Sequence, residues 1–114
     1  MAERDYSTLA MFWKGQQEKL KANEHKPGWR EDGMDKILTG FFREVTELRN
    51  DYHDILMLRQ VILQYGPNPE VIQQFHEKLE NFRDECYDVA NFSYFLWDIA
   101  GFIIEMQSIG EEEL

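Results

Sequence analysis

The sequence predicts an all-α fold, a helical bundle built around one long antiparallel helical hairpin. Apolar residues recur at spacings of three and four over most of the chain, and no segment of strand length alternates apolar with polar residues. The three prolines fall at two breaks, in the stretches HKPGW and YGPNPE. At 114 residues, we expect one domain that spans 1–114.

The elements follow from the apolar spacing and from the residues that start and stop helices. An N-terminal helix is predicted over 6–22, and its core-facing residues are Leu9, Phe12, Trp13 and Leu20. The stretch NEHKPGWREDG then predicts a loop. The first hairpin arm covers about 35–65 with Asp35 as its N-cap. The second arm covers about 69–108, with Pro69 in a first turn that tolerates proline.

The second arm has a further apolar face towards its C-terminal end. This face consists of Phe92, Phe95, Ile99, Phe102 and Met106. Three helices in one monomer would not cover both this face and the first one. The sequence therefore predicts that a homodimer or homotetramer completes the bundle.

The charge balance limits the choice of partners. The chain has 22 acidic and 12 basic residues, a net charge of −10, and residues 61–114 contain 11 of the acidic residues but only two of the basic ones. Duplex nucleic acids bind clustered Lys and Arg, so this excess argues against a nucleic-acid partner. It does not argue against a small anionic ligand whose charge is bridged by a divalent cation.

The sequence also indicates a soluble, cytoplasmic protein without a membrane partner. Cys86 is the single cysteine, so no internal disulfide can form, which fits a reducing compartment. The N-terminal stretch is too polar for a signal peptide. The apolar run 89–104 is interrupted by polar residues and is short for a bilayer span.

Two acidic pairs lie on the predicted hairpin. Glu44 and Glu47 are three residues apart on the first arm, as are Glu85 and Asp88 on the second, so each pair points in one direction. In an antiparallel hairpin, residues equally far from the turn lie side by side. Both cross-helix pairs, 44 with 88 and 47 with 85, are centred on Gly66 in the turn, so all four carboxylates should lie at one level.

These four carboxylates predict a metal site. Carboxylates grouped beside an apolar core cannot all remain ionised without a counter-charge. Oxygen ligands at this density suit Mg²⁺ or Mn²⁺ better than Zn²⁺. One such pair alone would be ordinary decoration of a solvated helix, but two pairs placed symmetrically about a turn favour the metal. A di-iron bundle is excluded because Ala22, Asn50 and Gln73, not Glu, precede the three histidines by three residues.

Glu-x-x-Glu followed by Glu-x-x-Asp on the next helix resembles the all-α nucleoside triphosphate pyrophosphohydrolase superfamily, which includes MazG and the dimeric dUTPases. The stretches NEHKPGW (23–29) and DVANF (88–92) are similar to short MazG-like proteins of phage genomes. The 37 residues between Glu47 and Glu85 exceed the usual spacing, and a hairpin lengthened on both arms would accommodate them.

The resemblance implies hydrolysis of (d)NTPs to monophosphate and pyrophosphate, which shapes a dNTP pool in a bacterial or phage-infected host cell. The residues it implies as both metal ligands and catalytic groups are Glu44, Glu47, Glu85 and Asp88. The substrate-binding candidates are His25, Lys26, Trp29 and Asn91, with Lys26 on the phosphate chain and Lys14, Arg30 and Lys36 as weaker cations. The residues alone leave open that His25 caps a helix end and that Trp29 only anchors the loop.

A non-catalytic helical module remains the alternative. In that case the chain would bind a partner protein through its 92–106 face, and loss of the Glu47 or Asp88 carboxylate would leave its function unimpaired.

Overall fold

The computed structural model describes residues 5–23 and 28–113, without the side chains of 30, 31 and 108–113. Within these ranges the secondary structure is helical and contains no strand, which confirms the predicted all-α class. The helices are α1 (Ser7–Ala22), α2 (Trp29–Asp32), α3 (Met34–Tyr65) and α4 (Pro69–Glu113).

Helix α1 matches its predicted bounds to within a residue and packs against α4. Phe12 contacts Tyr87 of α4, with ring centroids 5.2 Å apart. Leu9 and Trp13, predicted to face the core, are 60% and 58% exposed, so that part of the prediction is wrong. A helix that packs against a single neighbour buries only a narrow stripe of its surface, and these two side chains lie outside that stripe.

The segment between α1 and α3 is not wholly a loop, because α2 forms one helical turn within it. Gly33 has a φ of +84°, a conformation that favours glycine, and it serves as the N-cap of α3. Asp35, predicted as this N-cap, instead lies in the first turn. Its carboxylate still complements the positive end of the helix there.

The turn between α3 and α4 is short and closed by local hydrogen bonds. Gly66 ends α3 with a φ of +82°, and its N–H donates to the Ile62 carbonyl over 2.9 Å. Asn68 Oδ1 accepts a hydrogen bond of 2.9 Å from the N–H of Glu70 and so caps α4, with Pro69 as its first residue. Helix α4 continues to Glu113, beyond the predicted end at 108.

Helices α3 and α4 pack against each other, and this packing brings acidic residues of α3 near those of α4. A Cβ atom at Gly40 would lie 2.6 Å from Cε1 of Phe92, so the phenyl ring rests on the α3 backbone there. Further along, Lys78 Nζ of α4 lies 3.1 Å from Asp54 Oδ2 of α3. These two contacts join α3 to α4 at separate points along the helices.

The apolar core is small. Among the described residues, the buried hydrophobic side chains are Ile37, Ile55 and Ile99, each 5–8% exposed. Phe95 stacks on Trp29, so the first half of the predicted 92–106 face is covered within the chain. Phe102 and Met106 are 41% and 55% exposed, so the second half of this face is partly accessible to solvent. In the described residues, no helix has an apolar stretch long enough to cross a membrane.

Candidate functional site

Five carboxylates lie together where α3 meets α4, and we call them the carboxylate cluster. Its members are Glu44, Glu47 and Asp51 of α3, and Glu85 and Asp88 of α4. Their charges interact across the two helices, Glu44 with Asp88 and Glu85 with both Glu47 and Asp51. The structure thus brings together all four residues that the spacing singled out.

Burial varies within the carboxylate cluster. The side chains of Glu44 and Asp51 are 13% and 15% exposed, and that of Asp88 is 28% exposed. Glu47 faces solvent, whereas Oε2 of Glu85 is buried and has no hydrogen-bond partner. A buried carboxylate oxygen without a partner costs free energy of folding. A ligand that bound this oxygen of Glu85 would remove that cost.

The electrostatic repulsion within the cluster appears in two carboxyl groups. Burial, a hydrogen bond with Asp51, and the charges of Asp51, Glu47 and Glu44 raise the pKa of Glu85 to about 7. Burial, followed by the charges of Asp88 and Glu47, also raises the pKa of Glu44. Both shifts have the direction expected when like charges share a partly desolvated site. The negative charge of the cluster is therefore only partly balanced at neutral pH.

Asp51 is the member of the cluster that sequence reasoning did not select. It lies one turn beyond Glu47 on the same stripe of α3, so the spacing alone could have included it. Its contact with Glu85 crosses the helix pair diagonally. Equal distance from the turn predicts Glu47, not Asp51, as the neighbour of Glu85. The interaction of Asp51 with Glu85 therefore depends on the direction of the two side chains.

Two lysines border the carboxylate cluster. Lys19 Nζ of α1 lies 2.9 Å from Asp88 Oδ2 and 2.6 Å from Asp84 Oδ2. At the other end, Lys78 Nζ lies 3.6 Å from Asp51 Oδ1. Burial lowers the pKa of Lys19, but its hydrogen bonds to the two aspartates outweigh burial, and the net shift is upward.

Of the cations selected from the sequence, Lys36 lines a cavity that opens beside the carboxylate cluster. Lys14 is exposed, and Lys36 Nζ is 3.1 Å from Asp32 Oδ1. His25 and Lys26 fall in 24–27, outside the described residues, as does the side chain of Arg30. Lys19 was missed because the helical pattern of α1 does not reveal which of its lysines points at α4.

The donor set of the carboxylate cluster fits a hard divalent cation. Carboxylate oxygens are the ligands that Mg²⁺ and Mn²⁺ prefer, and the unpartnered oxygen of Glu85 is a vacant donor among them. In the described part of the chain, no three His, Cys, Asp or Glu side chains already converge as ion ligands. Ion binding would therefore require some of these carboxylates to change rotamer.

A cavity of about 940 Å³ opens beside the carboxylate cluster. Glu44 and Asp88 belong to both the cluster and the cavity wall. Four aromatic rings, those of Trp29, Phe92, Tyr94 and Phe95, form part of the wall, and Lys36 and Arg43 line it as well. Asn91 also lines it, is 5% exposed, and has a buried Oδ1 without a hydrogen-bond partner. An acceptor in this position can receive an N–H or O–H from a ligand in the cavity.

Trp29 joins α2 to α4. Its indole N–H donates to Asp98 Oδ2 over 2.7 Å, and its ring stacks on Phe95 with centroids 4.6 Å apart and planes 15° apart. These contacts make Trp29 an anchor of the segment that precedes α3. The residue also lines the cavity, so its anchoring contacts shape the wall that a ligand would meet.

No family model, curated protein or solved structure matches this chain. The described side chains themselves combine two features, an anionic cluster suited to a divalent cation and an adjoining aromatic cavity with one buried polar anchor. This combination suits a ligand with an anionic part and a planar apolar part.

Proposed function

We propose that this protein is a Mg²⁺-dependent nucleoside triphosphate pyrophosphohydrolase that cleaves (d)NTPs to (d)NMPs and pyrophosphate. The observation that carries the proposal is the carboxylate cluster opening onto an aromatic cavity in which the amide oxygen of Asn91 is buried and unpartnered. The resemblance of the Glu-x-x-Glu, Glu-x-x-Asp, NEHKPGW and DVANF stretches to MazG-like proteins supports the same activity.

The architecture proposed for this function is a long antiparallel hairpin of α3 and α4, with α1 packed against α4 and Gly66 in the turn. In such a hairpin, the two acidic pairs face each other and act as one site. The contacts of Gly40 with Phe92 and of Asp54 with Lys78 support this register.

Four residues would hold the ion: Glu44, Glu47, Glu85 and Asp88. When bound, Mg²⁺ (or Mn²⁺) binds phosphate oxygens, offsets developing negative charge and lowers the pKa of bound water. Asp51 is the member of the cluster that this ligand set leaves over. Its charge interacts with that of Glu85, so it lies beside the ion ligands, and its carboxylate would be free of the ion to accept a proton from the attacking water.

The cavity residues position the nucleoside. The rings of Phe92, Tyr94 and Phe95 offer apolar surface for the base. Asn91 Oδ1 accepts a hydrogen bond from an N–H of the base or an O–H of the sugar, which removes its unsatisfied state. Trp29 holds the far wall in place through Asp98 and Phe95.

A panel of ribo- and deoxyribonucleoside triphosphates, incubated with the protein and Mg²⁺, tests the proposal. We expect at least one of them to yield monophosphate and pyrophosphate in equal amounts. E47Q and D88N should each lower kcat/KM by about a hundredfold or more. E80Q, which removes an exposed carboxylate from the same helix as Asp88, should leave kcat/KM unchanged.

The failure of this proposal has a clear signature. A folded protein that releases no pyrophosphate from any triphosphate would overturn it. If E47Q and D88N also raised the melting temperature with Mg²⁺ present, the carboxylates would be repelling one another without a metal, as the non-catalytic interaction module requires.

We further infer that a second copy of the chain covers the exposed apolar surface. The protein exposes 9400 Å², whereas a compact monomer of 13.7 kDa exposes about 6,600 Å². The excess exceeds the roughly 800 Å² per partner that a stable interface buries. The exposed apolar residues near the C-terminal end of α4 include Phe102 and Met106, which belong to the predicted 92–106 face.

Light scattering after size-exclusion chromatography tests this association. We expect a homodimer or homotetramer, and we expect Met106→Glu on the 92–106 face to dissociate it. A monodisperse monomer at micromolar concentration would contradict the inference while leaving the hydrolase proposal to its own test.

A further inference from the structure

We propose that Lys19 is a built-in counter-ion of the carboxylate cluster, one that competes with the divalent cation for Asp88 and is released when the cation binds. This inference rests on the proposed function to the extent that the cluster must bind a divalent cation. It goes further in assigning to α1 a part in controlling how tightly that cation binds.

The geometry singles out this one lysine. Lys19 Nζ bridges Asp88 Oδ2 at 2.9 Å and Asp84 Oδ2 at 2.6 Å, and the lysine side chain is only 22% exposed. Its ammonium group therefore lies on a carboxylate that the proposed function gives to the metal. Among the described residues, the other cations near the cluster pair with different carboxylates: Arg43 is 4.0 Å from Glu44 and 66% exposed, and Lys78 contacts Asp51 and Asp54.

Charge explains why Lys19 and a metal exclude each other at Asp88. A Mg²⁺ ion binds a carboxylate oxygen at about 2.0–2.1 Å, so an ammonium group 2.9 Å from the same oxygen would face a double positive charge at close range. The cluster without metal needs positive charge, because it groups five carboxylates and two of them, Glu44 and Asp51, are only 13% and 15% exposed. Lys19 supplies part of that charge until a dication replaces it.

Asp84 gives the released ammonium group a place to stay. Its side chain is 64% exposed, lies one turn before Asp88 on α4, and contacts Lys19 at the shorter of the two distances. Lys19 can thus give up Asp88 while keeping one ion pair. The exchange then leaves α1 attached to α4.

Mn²⁺ binding to the nucleotide-free protein, followed by electron paramagnetic resonance of the free ion, tests this competition. We compare the wild type with K19M and with K21M, which removes an exposed lysine from the same helix and changes the net charge equally. K19M should lower the Mn²⁺ Kd about tenfold, and K21M should change it less than about twofold. K19R, which keeps a cation, should stay close to the wild type.

The outcomes separate this inference from the proposed function. Wild-type binding with equal Kd values for K19M and K21M would overturn the inference alone. Weaker binding by K19M would also overturn it, because Lys19 would then hold Asp88 in place for the metal. If neither the wild type nor K19M bound Mn²⁺, both proposals would fail. Binding by K19M without binding by the wild type would support the competition.

A measurement on the unmodified chain covers the case in which K19M does not fold. The side-chain ammonium ¹⁵N resonance of Lys19 is followed by NMR as Mg²⁺ is added. Release from Asp88 should shift this resonance with the same midpoint as Mg²⁺ binding, while the resonance of Lys21 stays in place. A Lys19 resonance that does not move while Mg²⁺ binds would overturn the inference.

Discussion

Replacing Glu85 by glutamine should stabilise the metal-free protein at alkaline pH. The pKa of Glu85 is raised from its ordinary value of 4.5 to about 7, with burial as the main cause and Asp51, Glu47 and Glu44 as contributing neighbours. A carboxyl whose pKa is higher in the folded state destabilises the fold when it is ionised. This penalty is absent below about pH 4.5, develops between pH 4.5 and 7, and is complete above pH 7.

The size of the effect follows from the shift. At about 1.4 kcal/mol per pKa unit, a rise from 4.5 to about 7 corresponds to about 3 kcal/mol. Since Glu85 is only half-buried and solvent screens part of the repulsion, we expect E85Q to gain about 1–2 kcal/mol at pH 8. For a domain of this size, this corresponds to a rise in Tm of about 4–8 °C.

The assay is thermal unfolding in EDTA at pH 5 and pH 8, with E80Q as the control at an exposed position of the same helix. E85Q should match the wild type within about 1 kcal/mol at pH 5 and exceed it at pH 8. With saturating Mg²⁺ at pH 8, the order should reverse, because the wild type keeps the ligand that the variant has lost. A pH-independent difference, or a loss of stability in EDTA at pH 8, would refute the reasoning.

Three other substitutions test the packing around the site. N91L should leave the free energy of unfolding within about 1 kcal/mol of the wild type, because the amide oxygen that it removes has no hydrogen-bond partner. The KM for the preferred nucleotide should rise about tenfold or more. A large loss of stability with an unchanged KM would instead mean that Asn91 has a structural role. W29F keeps the stacking on Phe95 but removes the hydrogen bond to Asp98, so urea unfolding should show a loss of about 1–2 kcal/mol, and an unchanged midpoint would contradict this. G40A should lose up to about 2 kcal/mol, because the new methyl group displaces the ring of Phe92, whereas G101A, where a Cβ meets nothing within 4 Å, should be neutral or stabilising.

The helical pattern predicted the long helices because their bounds depend on local rules. Apolar spacing and the prolines predicted where these helices lie in the chain. Equal distances from Gly66 further predict Glu44 opposite Asp88 and Glu47 opposite Glu85. Helical rise is nearly constant, so counting residues along two packed helices gives positions to within about a turn. The structure brings these carboxylates together on that basis.

What the sequence did not predict depends on tertiary docking. The contact of Lys19 with Asp88 depends on the angle and the register at which α1 packs against α4. The spacing of apolar residues within α1 does not reveal either of them. Leu9 and Trp13 are exposed for the same reason, because the apolar pattern of a helix does not determine how many other helices pack against it. Gly33 displaced Asp35 as the N-cap because its positive φ ends the preceding segment one residue before α3 begins.

The central claim is that the acidic residues of two different helices form one divalent-cation site. Paramagnetic broadening of backbone amide signals by substoichiometric Mn²⁺ measures this most directly. We expect the amide signals of 44–51 and 85–88 to broaden together, at the same Mn²⁺ concentration, and we expect Mg²⁺ in excess to reverse the broadening. Broadening confined to one helix, or centred on the acidic residues 111–113, would contradict it.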